Sequence, residues 1–136
     1  MVQELAISSV NDPLDNLSHA EINFFNVLSV VVGDKARVAT KVQIQDVLKH
    51  TNFSTTNTRV FGDETFDFVL HDNLDHSVLC VIELDDRKAP DRSNAPERSY
   101  KKLCSVAGLP LVEVPALCGY DLERLGNTLF KFIDNP

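Results

Sequence analysis

Two apolar runs near the middle of the chain carry carboxylates where a buried strand ordinarily carries none. In FDFVLHD, Asp67 stands among Phe66, Phe68, Val69 and Leu70. In VLCVIELDD, Glu83, Asp85 and Asp86 close a run of Val78, Leu79, Cys80, Val81 and Ile82. Burying a lone carboxylate is costly, and a second like charge beside it costs more. Pairing with Lys or Arg, sharing a proton, or binding a divalent cation would each relieve that cost. From Val60 to Asp86 there are eight acids and no Lys or Arg, so a basic partner would have to come from elsewhere in the chain. Oxygen ligands at a strand end suit Mg²⁺, which takes one or two carboxylates and keeps several waters. Such an ion, or Mn²⁺ in its place, activates water and stabilises a phosphoryl transition state. The competing reading is that acids at a strand end, followed by a loop, are simply solvated.

Side chains alternate along a strand, so Glu83 and Asp85 share a face and Asp86 points away. Asp67 and Glu83 can lie side by side on neighbouring strands. A further acid, Glu21, follows Ser18 by three residues, the spacing of a helix-capping box. It also lies on the helical face of Phe24, Phe25 and Leu28, which turns it toward the core. His71 and His76 flank a turn and read as surface residues, because neither falls in a metal-ligand spacing. Cys80, Cys104 and Cys118 are odd in number and lack CxxC spacing. They argue against a disulfide scaffold or zinc ribbon and for a reducing, cytoplasmic compartment. Two of the three sit in apolar runs, as buried inert thiols do.

The elements that would position these residues follow from periodicity. Residues 1–16 are polar without a clear period and read as a loose arm before a domain spanning 17–136. LSHAEINFFNVLSVVVGD reads as a helix, capped by Ser18, with Phe24, Phe25, Leu28, Val31 and Val32 as its apolar stripe and Gly33 as its end. Val38, Thr40, Val42 and Ile44 alternate as a strand does. Residues 66–71 and 77–84 read as two strands joined by a tight turn at Asn73–Asp75. A helix starting at Pro96 and ending at Gly108 leads to a strand in LPLVEVP. Leu122, Leu125, Leu129, Phe130 and Ile133 form the inward stripe of a closing helix. The order is αβββαβα. A strand–helix–strand unit near the end implies a parallel pair. The hairpin strands are apolar on both faces, so helices should cover both sides of a mixed sheet of about four strands, giving a three-layer α/β domain.

Charge is unevenly placed. The net charge is -7, yet the residues outside Val60–Asp86 hold twelve acids against all thirteen bases and are nearly neutral. Immediately after the hairpin come Arg87, Lys88, Arg92, Arg98, Lys101 and Lys102 against Asp91 and Glu97. A broad basic surface of the usual nucleic-acid-binding kind is absent. A local basic strip beside an acidic pocket suits a phosphate ligand held through a metal ion. No apolar run approaches the length of a membrane helix, and a membrane or targeting segment would lie outside this chain.

Taken in order, LSHAEINFFNVLSVVVGD, KVQIQDVL, FDFVLHD, VIELDD and AGLPLVEVPA resemble a bacterial domain of unknown function, the family numbered 2726. That family is grouped by similarity with the PD-(D/E)XK nuclease superfamily, near the very-short-patch-repair endonuclease-like branch. The resemblance covers about residues 17–133. It implies a restriction-endonuclease-like fold and a metal-dependent phosphodiesterase site in which Glu21, Asp67 and Glu83 match the helix-one, second-strand and third-strand acids. The superfamily's lysine two residues after the third-strand acid is replaced here by Asp85. Relatives with this replacement often carry a His soon afterwards, but RKAP supplies none. A basic group would then come from Lys88, Lys101 or Lys102, although each also reads as an exposed side chain.

The resulting expectation is a nuclease-like domain acting on DNA or RNA, with Mg²⁺ or Mn²⁺ at Asp67, Glu83 and Asp85. Glu21 would position a water or orient the pocket, and a basic side chain from residues 88–102 would face the phosphate, with Lys88, Arg92 and Arg98 as nucleic-acid contacts. The rival from another class is a non-catalytic nucleic-acid or protein binding module on the same fold.

Overall fold

A computed structural model describes residues 17–49, 51, 64–85 and 100–134. Helix α1 spans His19–Val32 and strand β1 spans Ala36–Gln43, followed by a short helix α2 at Ile44–Leu48. The hairpin strands are β2, Thr65–Asp72, and β3, Val78–Asp85. Helix α3, Lys101–Ala107, precedes strand β4, Leu111–Pro115, and helix α4 spans Leu122–Asp134.

The four strands lie in chain order in one open mixed sheet. β1 pairs antiparallel with β2, and β2 antiparallel with β3. β4 runs parallel to β3, with Val81 opposite Leu111 and Glu83 opposite Glu113. The parallel pair expected of the strand–helix–strand unit, between the 77–84 strand and LPLVEVP, is therefore present. Both faces of the sheet are covered. On one, Phe24, Leu28 and Val32 of α1 and Leu125 and Leu129 of α4 pack against Phe68, Leu70, Cys80, Ile82, Leu84, Val112 and Val114. On the other, Ile44, Val47 and Leu48 of α2 and Cys104 of α3 pack with Phe66, Val69 and Val81.

Local chemistry explains the boundaries. The Ser18 side chain accepts from the Glu21 amide and the Glu21 side chain accepts from the Ser18 amide, completing the capping box. α1 ends where Gly33 takes φ 59° and donates its amide to Ser29 O. In the hairpin turn, Asp72 Oδ2 accepts from the amides of Leu74 and Asp75, at 2.8 and 3.0 Å.

Three expectations need correction. Ile44 does not extend β1. It opens α2, because 44, 47 and 48 also form a helical apolar stripe, and that stripe is buried. The helix expected from Pro96 begins at Lys101, after a non-helical Tyr100 whose hydroxyl is held by Glu64 Oε1 at 2.7 Å. Residues 86–99 lie outside the described set. Leu122, assigned inward, is 48% exposed and takes no part in the core. The expected N-terminal arm, 1–16, also lies outside the described residues. No helix among the described residues is long and apolar enough to cross a membrane.

Candidate functional site

The hairpin acids meet at a fork in the sheet. The β2–β3 ladder runs up to the Phe68–Ile82 pair. Beyond it the two acids reach into each other's strands. The Asp67 amide donates to Glu83 Oε2 at 2.7 Å, and the Leu84 amide donates to Asp67 Oδ2 at 2.8 Å. Each carboxylate thus occupies a backbone donor that an ordinary ladder would have paired, and a charge-assisted bond of this kind is stronger than the neutral one it replaces. The fork is half-buried rather than solvated: the Asp67 side chain is 14% exposed.

A basic partner does come from a distant strand. Lys41, in β1, sits opposite Asp67 between the paired Thr40–Phe68 and Val42–Phe66. Its ammonium lies 2.6 Å from Glu21 Oε2 and 3.3 Å from Asp67 Oδ1. Glu21 divides its two oxygens: Oε1 accepts the Ser18 amide at 2.9 Å and Oε2 takes Lys41. Glu21 therefore caps the helix and pairs with Lys41 at once.

Lys41 gains this reach from its backbone. Its φ is 48°, in the left-handed region that non-glycine residues seldom enter. Around it the strands change sides: Val38 packs with the α1–α4 core and Val42 with the α2–α3 core. Phe68 and Phe66 divide in the same way across Asp67. An unbroken strand would keep residues two apart on one face.

The charges respond to this packing. Burial pushes the Glu21 carboxyl up, but the Lys41 and Ser18 hydrogen bonds and the Lys41 charge outweigh it, and its pKa falls below the ordinary 4.5. Burial likewise pushes Lys41 down, but Glu21 and Asp67 raise it above 10.5. On the α3 side, burial and the nearby Glu83 charge push the Cys104 thiol up to about 11; on the opposite face, burial takes Cys80 to about 12. Both thiols are buried and stay protonated at neutral pH, as the sequence suggested.

Of the other candidates, Asp85 ends β3 two residues beyond Glu83, and its carbonyl accepts the Ala116 amide at 2.9 Å. Lys101 is exposed, with its ammonium 3.4 Å from Glu113, the β4 residue opposite Glu83. Lys102 is exposed on α3. Lys88, Arg92 and Arg98 lie outside the described residues. The structure thus brings Glu21, Asp67 and Glu83 to one place, with Lys101 one strand away. His71 and His76 sit at the opposite, turn end of the hairpin, beside a shallow cavity of about 310 Å³ shared with Arg37, Val38 and Ala39.

Lys41 is the site residue that sequence reasoning missed. As the odd residue in an alternating strand it reads as solvent-facing, and nothing in the chain announces its positive φ. The available signal is its place as the only base between Arg37 and Lys49, on a strand next to an acid-rich hairpin.

The donor set can be weighed for a divalent cation. Asp67 and Glu83 supply hard oxygens at one fork, which fits the one or two carboxylates that Mg²⁺ takes. No group of three or more His, Cys, Asp or Glu side chains among the described residues is placed to hold an ion. No curated protein and no solved structure matches the chain. A family model does match, over residues 15–132, and the chain accordingly belongs to the family described as a protein of unknown function, DUF2726.

Proposed function

We propose that this protein is a metal-dependent nuclease with a restriction-endonuclease-like fold, hydrolysing phosphodiesters of DNA or RNA at the β2–β3 fork. The observation that carries the reading is the reciprocal seating of Asp67 and Glu83 on each other's strands. It holds two carboxylates in fixed, half-buried positions where the sheet opens. The succession of a helix acid, a second-strand acid and a third-strand acid is the pattern that suggested the nuclease superfamily.

Asp67 and Glu83 would hold Mg²⁺ or Mn²⁺, with Asp85 adjacent on β3. A bound ion would supply an acidified water and positive charge against the phosphoryl oxygens. Glu21 would orient the pocket. The basic strip containing Lys88, Arg92, Arg98, Lys101 and Lys102 would contact the nucleic-acid backbone, whose affinity would then fall with added salt.

A second reading, a non-catalytic nucleic-acid or protein binding module, is favoured by a specific observation. Lys41 already compensates two of the acids, as a purely structural ion cluster would. Cleavage of single- and double-stranded DNA and RNA in Mg²⁺ and Mn²⁺, by the parent and by Glu83→Gln, separates the two. The nuclease reading expects metal-dependent cleavage by the parent and at least a hundredfold loss in the variant. Nucleic-acid binding without cleavage by either protein would favour the module.

A further inference from the structure

The ammonium of Lys41 lies between two carboxylates, and one of them, Asp67, is also a proposed ion ligand. Asp67 has two oxygens. Oδ2 is engaged by the Leu84 amide at 2.8 Å and Oδ1 faces Lys41 at 3.3 Å. A cation drawing on Asp67 through Oδ1 therefore meets a positive charge already seated there. The like charges repel most strongly where water is scarce, and the Asp67 and Glu21 side chains are only 14% and 16% exposed. Lys41 itself is held in an unfavourable backbone conformation at φ 48°. Such strain persists only where surrounding contacts over-determine it, and its two ion pairs are among the contacts made there. Its side chain is 33% exposed, so it has an outlet toward solvent.

We propose that Lys41 is the resident counter-ion of this site and sets its affinity for divalent cations, yielding Asp67 when an ion binds. This rests on the metal-dependent reading above and adds a determinant to it. Asp67 Oδ1 exchanges a monovalent ammonium for a divalent ion, while Glu21 Oε2 keeps Lys41 nearby. The exchange keeps the acid cluster compensated in both states. It also makes the energy of breaking the Lys41–Asp67 pair part of the cost of loading the ion.

The test is calorimetric titration of Mn²⁺, with Mg²⁺ in competition, into the parent, Lys41→Met and Lys41→Gly. Glycine suits the positive φ and so removes the ammonium without forcing a strained backbone. Both variants are expected to bind Mn²⁺ at least tenfold tighter than the parent, and binding seen only in the variants counts the same way. A second measurement needs no substitution: amine acetylation of the folded parent, read by mass spectrometry. Saturating Mn²⁺ should raise the Lys41 labelling rate severalfold relative to the exposed Lys49. Equal or weaker Mn²⁺ binding by the variants, or unchanged Lys41 labelling in a parent that binds Mn²⁺, overturns the counter-ion role and leaves the metal site standing. Absence of Mn²⁺ and Mg²⁺ binding in all three proteins overturns both.

Discussion

Lys41 shows how one side chain can settle the electrostatics of a cluster that its own neighbourhood in the sequence leaves unbalanced. Without it, Glu21 and Asp67 would face each other across a half-buried pocket. Lys41→Met is therefore expected to destabilise the metal-free protein by about 1–3 kcal/mol, less than the loss of a fully buried partner because the ammonium is partly solvated. Urea unfolding measures this. The pH dependence has a defined sign at each end. Glu21 has a lowered folded pKa, so its contribution is complete above 4.5 and is lost as pH falls through the folded value. Lys41 has a raised folded pKa, so its contribution is complete below 10.5 and is lost as pH rises through the folded value. The stability gap between parent and Lys41→Met should be widest between those limits and narrow beyond both. A gap independent of pH would show that lost packing, not charge, causes the effect.

At the level of elements, short-range chemistry decides most boundaries and leaves single substitutions that test them. Ser18→Ala removes the acceptor of the Glu21 amide and should cost about 1 kcal/mol, read as a lowered urea midpoint. Gly108 ends α3 at φ 75° with no atom near the place of a Cβ, so Gly108→Ala meets backbone strain and no clash. It should cost about 1–2 kcal/mol. The β2–β3 hairpin was legible to within a residue at each end, because two apolar runs flank an Asx-type turn whose residues admit little else. The α1 cap and stripe and the parallel β3–β4 pair were legible for similar reasons. α2 was not, since Val42 followed by Ile44 satisfies strand alternation while Ile44, Val47 and Leu48 satisfy a helix, and burial chose between them. The acids of the site were legible as misplaced charges. Their partner was not, because the change of face at Lys41 and Asp67 is a property of two strands together.

For the whole molecule, the sheet divides two cores, and the fork lies where β1 and β2 pass from one to the other. Phe68 is fully buried and packs edge-on against Phe24, with centroids 5.2 Å apart, tying the fork to α1. Phe68→Ala should cost about 3–5 kcal/mol. Global stability should also report on the site. If the fork binds Mg²⁺ or Mn²⁺, the ion stabilises the folded state by mass action, by about 2.7 kcal/mol at a hundred times its dissociation constant. Glu83→Gln keeps an oxygen to accept the Asp67 amide, so its metal-free thermal midpoint should stay near that of the parent while the gain from metal disappears. A large loss without metal, with no metal effect on the parent, would instead mark Glu83 as a purely structural acceptor and favour the binding module.

The crossed bonds at the fork give the protein two internal reporters. The amides of Asp67 and Leu84 end on carboxylate oxygens rather than on carbonyls. Their proton resonances should therefore shift when Mg²⁺ draws on those oxygens, while those of ladder amides such as Phe68 stay in place. Their solvent exchange should slow when an ion tightens the fork. Two peaks in a nitrogen–proton correlation spectrum would then follow the electrostatic state of the site directly, with no substrate present and no residue changed.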